Sequence, residues 1–142
     1  MYESCLKKQN EIKNLFADCR SEEAKYAKII ELGRALPPLN QEYKTESNRV
    51  QGCQSNMFLR TYQEGNEIFY EAESDALISA GLAALLLRAY NGEPAEVILK
   101  CPPSYLEELG ISGSLTPNRA NGLYSIHLRM KQEALKFLMK KY

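Results

Sequence analysis

Four cysteines, Cys5, Cys19, Cys53 and Cys101, and the single histidine His127 carry the soft-nucleophile and metal-ligating chemistry of this sequence. The cysteines stand 14, 34 and 48 residues apart (19 − 5, 53 − 19, 101 − 53). No C-x-x-C occurs, so neither a zinc ribbon nor a thioredoxin-type dithiol is signalled. A metal site would have to gather its ligands from across the fold, with His127 as its one imidazole. For Cys5, Cys19 and Cys101 the default is a small buried hydrophobe. Cys53 differs because of its neighbours, Val50-Gln51-Gly52-Cys53-Gln54-Ser55. Gly52 frees the backbone to turn tightly and places Cys53 at a tip between two extended segments. A thiol at a tip can meet another protein, but it becomes a nucleophile only as thiolate, which a nearby cation favours. Arg49 and Arg60 are near in sequence, and Arg119 could be near in space. The pattern alone leaves both a structural turn cysteine and a reactive thiol open.

The elements that must hold this turn follow from periodicity. Leu6, Ile12, Leu15 and Phe16 form a weak amphipathic stripe, broken at Asp18 and Ser21. A second helix opens on Glu22 and Glu23, which suit a helix N-terminus, and carries Tyr26, Ile29, Ile30 and Leu32 at helical spacing. Gly33 is expected to stop it, and Pro37-Pro38 forbids continuation. Residues 39–49 read as an ordered polar linker. Two strands follow, residues 57–62 and 67–72, joined by the turn signal Gln63-Glu64-Gly65-Asn66. Residues 49–51 would add a short third strand. Ser74 or Asp75 is expected to cap the next helix, residues 76–90, which is apolar around most of its girth and so central and buried. Gly92 ends it and Pro94 opens a short helical turn. Cys101-Pro102-Pro103 breaks the chain, and a short helix over 105–109 stops at Gly110. Thr116-Pro117 is an N-cap with proline at the first helical position. The last helix should turn Leu123, Ile126, Met130, Leu135 and Leu138 inward, with Lys136, Lys140 and Lys141 complementing its C-terminal dipole. The resulting fold class is α+β: a small antiparallel sheet of about three strands, with helices packed against it, in one domain over residues 1–142.

Composition narrows the function. Lys+Arg and Asp+Glu are 18 each, apolar residues make 44% and charged residues 25%. The balance gives no excess of cations to displace counterions from nucleic-acid phosphates. The longest apolar run, residues 82–87, is far short of a membrane span. The first eight residues lack the basic-then-apolar order of a signal peptide. A cytoplasmic protein with reduced thiols is expected.

The hexapeptide around Cys53 resembles the active-cysteine motif of the SufE family, sulfur acceptors for cysteine desulfurases. Further motifs follow in order. Glu31-Leu32-Gly33 with Leu36-Pro37 resembles the family's first helix and its exit. Ser74-Asp75-Ala76 with Gly81-Leu82 resembles the start of its central helix. Leu115-Thr116-Pro117-Asn118-Arg119 with Gly122-Leu123 resembles the start of its final helix. Together they cover residues 10–137.

The resemblance implies a fold shared with the IscU-type Fe–S scaffolds. It also implies a function: accepting persulfide sulfur onto Cys53 from a pyridoxal-phosphate-dependent cysteine desulfurase, stimulating that enzyme, and delivering sulfur for iron–sulfur cluster assembly. No cofactor or metal is expected on this chain; the pyridoxal phosphate belongs to the desulfurase. The implied partners are a SufS-like or CsdA-like desulfurase and a downstream SufBCD-like scaffold complex, with a homodimer as a further option. Gly52, Gln54 and Ser55 would shape the cysteine loop, with Gly52 as its hinge. Asp75 and Arg119 match polar positions that order the loop or meet the partner; by sequence alone, Asp75 could equally be a helix cap and Arg119 a surface or capping residue. Met57-Phe58 stands where the family often has Val-Trp. Three rival readings remain: an Fe–S scaffold, which would need several converging ligands; a thiol peroxidase or redox sensor; and an adaptor that activates a desulfurase without accepting sulfur.

Overall fold

The computed structural model describes residues 2–140, so the expectation for Lys141 falls outside the described residues. Among them the chain forms α1 (Glu3–Leu15), α2 (Glu22–Arg34), two 3-10 turns (Gln41–Tyr43 and Glu46–Asn48), β1 (Met57–Glu64) and β2 (Glu67–Ser74). Then come α3 (Leu77–Tyr90), β3 (Glu93–Pro94), α4 (Ala95–Lys100), α5 (Ser104–Glu108), α6 (Ile111–Ser114) and α7 (Pro117–Met139). The sheet is antiparallel in the order β1-β2-β3. This is the α+β arrangement that the periodicities imply.

β1 and β2 pair along their full length, from Met57 opposite Ser74 to Glu64 opposite Glu67. Side chains alternate across a strand, and here Met57 and Leu59 on β1 and Ile68, Tyr70 and Ala72 on β2 are buried. The third strand is not residues 49–51. Arg49 makes one isolated bridge to Phe58, and the sheet is completed by Glu93–Pro94 against Glu67 and Ile68. Proline suits such an edge position because it has no N–H to leave unpaired.

α3 is the centre of the molecule, touching α1, α2, α7 and β2. Eleven of its residues are buried, including Leu82, Leu85, Leu86 and Tyr90. Fully burying one such leucine contributes about 1.5–3 kcal/mol. Gly33 does not stop α2, which runs on to Arg34. A Cβ at Gly33 would lie 2.5 Å from the Gly81 nitrogen, and one at Gly81 would lie 2.2 Å from the Ile29 carbonyl oxygen. The two helices cross in backbone contact, and that packing outweighs the roughly 1 kcal/mol that glycine costs inside a helix.

α7 closes over the other elements. Leu123, Ile126, Met130 and Ala134 face inward, and the Tyr70 hydroxyl donates to the Met130 carbonyl at 2.7 Å. Leu135 is instead 44% exposed. It lies about 100° around the helix from Ala134, off the 3-4-4 stripe of the buried residues.

Candidate functional site

The chain leaves and re-enters the sheet at one place. The Val50 amide donates to the Met57 carbonyl at 2.8 Å, and the loop between them carries Cys53. Both loop ends are pinned. At the entry, Arg129 of α7 donates through Nη1 to the Arg49 carbonyl at 3.0 Å and through Nη2 to the Ser47 carbonyl. At the exit, the Asn56 amide and Nδ2 donate to the two Asp75 carboxylate oxygens, each at 3.0 Å, while the Asp75 amide returns a bond to the Asn56 carbonyl. Arg49 joins the ends by donating to Asn56 Oδ1. Ser74 Oγ donates to Ser55 Oγ at 3.1 Å.

Between the pins the backbone turns through Gly52 at φ +91°. L-residues disfavour this region, and space forbids one as well: a Cβ there would lie 2.3 Å from Ser125 Oγ on α7. The turn thus lies directly on α7 and aims Cys53 into a cavity of about 330 Å³. Cys53, Gln54 and Ser55 form one wall, Ala76, Ser79 and Leu82 of the α3 end a second, and Asn118, Arg119 and Gly122 of α7 a third.

Cys53 is half-buried, with Sγ 3.8 Å from the Gly122 carbonyl oxygen, a weak S–H donor contact. Burial pushes its thiol above the ordinary cysteine value. The three candidate cations do not offset this. Arg49 is engaged by Glu46, Asn56 and the Phe58 ring, and Arg60 by Glu71 and the Tyr43 and Tyr62 rings. Neither lines the cavity. Arg119 does, but its guanidinium lies over the Tyr26 ring, 5.2 Å from the centroid. At neutral pH the loop therefore holds a protonated, sheltered thiol rather than a standing thiolate.

The structure brings Cys53, Gln54, Ser55 and Arg119 to one cavity, with Gly52 seated beside it on Ser125. Asp75 is outside the cavity and orders the loop exit. It is not a helix cap: the N-cap of α3 is Ala76, without a side-chain cap, and the Ser74 hydroxyl accepts from the Ala76 amide just ahead of the helix. Thr116 does cap α7, accepting from the Arg119 amide. Asn56, Ser79, Asn118, Gly122, Ser125 and Arg129 also build the site, and sequence reasoning gave none of them this role. Asn118 and Gly122 carried a signal, since both fall in the motif around Thr116. Arg129 and Ser125 carried none, because α7 meets the loop from some 70 residues away.

The remaining titratable groups lie elsewhere. Cys19 is half-buried beside the Ala24 carbonyl, and Cys5 and Cys101 are buried. No group of three or more His, Cys, Asp or Glu side chains suited to a metal occurs among the described residues. His127 stacks on Tyr90 with centroids 5.6 Å apart, and burial, with Lys131 assisting, pushes it down to about 4. It is neutral at physiological pH and does not line the Cys53 cavity. No helix among the described residues is long and apolar enough to cross a membrane.

Comparison with known proteins yields a family match, and relatives and solved structures that are similar to this chain. The model of the SufE Fe-S metabolism associated domain matches residues 10–134. "Cysteine desulfuration protein SufE" of Wigglesworthia glossinidia brevipalpis is 34% identical over 137 residues, covering 95% of this chain and 94% of that protein. "SufE-like protein 1, chloroplastic/mitochondrial" of Arabidopsis thaliana is 38% identical over 129 residues; the match takes in 90% of this chain but only 35% of the plant protein, so the chain spans about a third of that relative. A solution structure of a hypothetical protein from Thermus thermophilus superposes with a TM-score of 0.75 at 26% identity, covering 93% of this chain and 96% of that one.

Proposed function

Since this chain belongs to the SufE family of Fe–S metabolism, we propose that it is a sulfur carrier that accepts sulfur on Cys53 from a cysteine desulfurase. The observation that carries this reading is a lone thiol on a two-ended loop, protonated by burial and facing a cavity of about 330 Å³. That space holds one more sulfur atom with room to spare, so a persulfide formed outside can be carried inside, away from oxidants.

The transfer is a thiol–disulfide-type exchange. The desulfurase presents a persulfide on its own cysteine. Cys53 loses its proton, and its thiolate attacks the outer sulfur. The bond between the two sulfurs of the donor breaks, the donor cysteine leaves as thiolate, and the proton released by Cys53 neutralises it. Cys53 then carries the persulfide, with no net oxidation and no cofactor on this chain. The resting thiol is too protonated and too enclosed for the attack, so the loop must swing out when the desulfurase docks. Gly52 is the hinge, and the pins at Arg49 and Asn56 keep the rest of the sheet in place. Exposure removes the burial that raises the thiol, and Arg119, freed from Tyr26, is the cation at hand for the thiolate. Clearing the donor's persulfide resets the desulfurase, which accounts for stimulation. The carried sulfur then passes to a scaffold complex of the Fe–S pathway. The donor is a SufS-like or CsdA-like desulfurase of the compartment in which the chain resides, for which we favour the cytoplasm.

The cavity favours this over a cluster scaffold, because Cys53 is the only cysteine among its lining residues. The decisive variant is Cys53→Ser. It should fold normally and accept no sulfur, and retained transfer would remove Cys53 from the mechanism. Retained stimulation with lost acceptance would instead mark an adaptor.

A further inference from the structure

Two cysteines that the sulfur-transfer reading leaves idle are placed together. Cys5 lies on α1 and Cys101 follows α4, and they are 0% and 2% exposed. Both sulfurs lie 3.7 Å from the same amide nitrogen, Gln9 Nε2, so the two thiols flank one side-chain amide. The registration is fixed on both sides. Gln9 Nε2 also donates to the Pro102 carbonyl at 3.1 Å, and the Cys5 thiol donates to the Ala89 carbonyl at 3.4 Å. Buried Glu93 ties the same stretch of α1 through Lys8 at 2.6 Å and Ser4 at 2.9 Å. No third ligand converges here among the described residues, so the pair is not part of a metal centre.

We propose that Cys5 and Cys101 form an oxidisable pair that closes to an intramolecular disulfide and clamps α1 to the α4–α5 corner. The oxidant is a hydroperoxide such as hydrogen peroxide. One sulfur, as thiolate, attacks a peroxide oxygen; the O–O bond breaks, hydroxide leaves and is protonated to water, and a sulfenic acid remains. The second thiol attacks that sulfur, the S–S bond forms, and a second water leaves. Together the two sulfurs lose two electrons and the peroxide gains two. The Cys5 thiol, pushed up to about 12 chiefly by burial, is unreactive while enclosed. Closure therefore proceeds through brief opening of α1, and the fixed registration brings the partners back together before a second oxidant arrives. The bond would bridge a separation of 96 residues (101 − 5). It leaves the acceptor thiol free, because Cys5 meets α3 at Ala89 whereas the Cys53 cavity meets the opposite end of α3 at Ala76.

The test is mild hydrogen peroxide treatment of the folded full-length protein. Peptide mapping follows after alkylation in denaturant, and thermal unfolding is measured with and without reductant. The expected result is a Cys5–Cys101 cross-linked peptide and a thermal midpoint raised by on the order of 10 °C, reversed by reductant. The same cross-link should form in Cys53→Ser, which makes the outcome independent of the sulfur-acceptor reading. Separate sulfinic or sulfonic adducts at 5 and 101, both thiols surviving while Cys19 oxidises, or a cross-link that does not raise the midpoint would each overturn the proposal.

Discussion

Gly52→Ala tests the geometry of the cysteine loop most sharply. At φ +91° an L-residue is strained by about 1–2 kcal/mol, and the new Cβ would lie 2.3 Å from Ser125 Oγ. Relieving that contact requires an off-rotamer serine or a shifted loop, about 0.5–1.5 kcal/mol more. Alanine also restricts the unfolded chain, which returns about 0.4–1 kcal/mol to global stability but nothing to the closed loop relative to the open one. The closed loop is thus weakened by roughly 2–3 kcal/mol. At about 1.4 kcal/mol per decade, the open population rises about 30- to 140-fold. Alkylation of Cys53 by iodoacetamide at fixed pH, followed by peptide mass, reads that population directly. Its rate should rise at least about tenfold in Gly52→Ala, and less in the Gly52→Ala, Ser125→Ala double variant, where the hydroxyl clash is gone and the φ strain remains. A rate equal to or below that of the parent would refute the picture of a loop held shut at Gly52.

Further perturbations separate the contributions of other residues. Asp75→Ala removes both acceptors for Asn56, worth about 1–2 kcal/mol at this exposed site, and should speed amide hydrogen exchange across residues 51–56; Asp75→Asn, keeping one acceptor oxygen, should fall between. Gly81→Ala drives a Cβ to 2.2 Å from the Ile29 carbonyl oxygen and should lower stability by about 1–3 kcal/mol or more in urea unfolding, with α2 displaced from α3. His127 is lowered by burial from 6.5 to about 4, so as pH falls the unfolded chain takes up the proton first. Stability is then lost from about pH 6.5 down to about pH 4, by roughly 3 kcal/mol at most. His127→Phe, which keeps the stack on Tyr90 and removes the buried Nε2 that lacks a partner among the described residues, should flatten that part of the pH–stability curve.

The hairpin and the central helix were legible because their signals are local. Met57-Phe58-Leu59 and Ile68-Phe69-Tyr70 alternate about a Gly-Asn turn, and residues 77–90 are apolar around most of the helix. The place of Cys53 on a tight turn was legible because the signal, a glycine before a cysteine, is also local. What the sequence did not show are contacts between distant backbones. Gly33 reads as a helix stop by local chemistry, yet it is the point where α2 touches Gly81. Residues 49–51 have strand-like composition, but Arg129 of α7 captures the Arg49 and Ser47 carbonyls and leaves a single bridge. The strand that completes the sheet is two residues long and contains a proline, too short for any period to register. Arg49 and Arg60 were placed near Cys53 by sequence distance, but alternation and their own acidic partners point them elsewhere. Asp75 looked like a cap because it precedes a helix; the loop exit at Asn56 takes its carboxylate instead.

These contacts converge on one physical idea, that the fold stores Cys53 as a neutral thiol and releases it only when the loop moves. Intact-protein mass spectrometry with peptide mapping, after incubation with a cysteine desulfurase and L-cysteine, tests the resulting claim most directly. The predicted result is one added sulfur on Cys53, removable by reductant and absent from Cys53→Ser. A desulfurase that is stimulated by this chain while Cys53 stays unmodified, or sulfur found on another cysteine in its place, would contradict it.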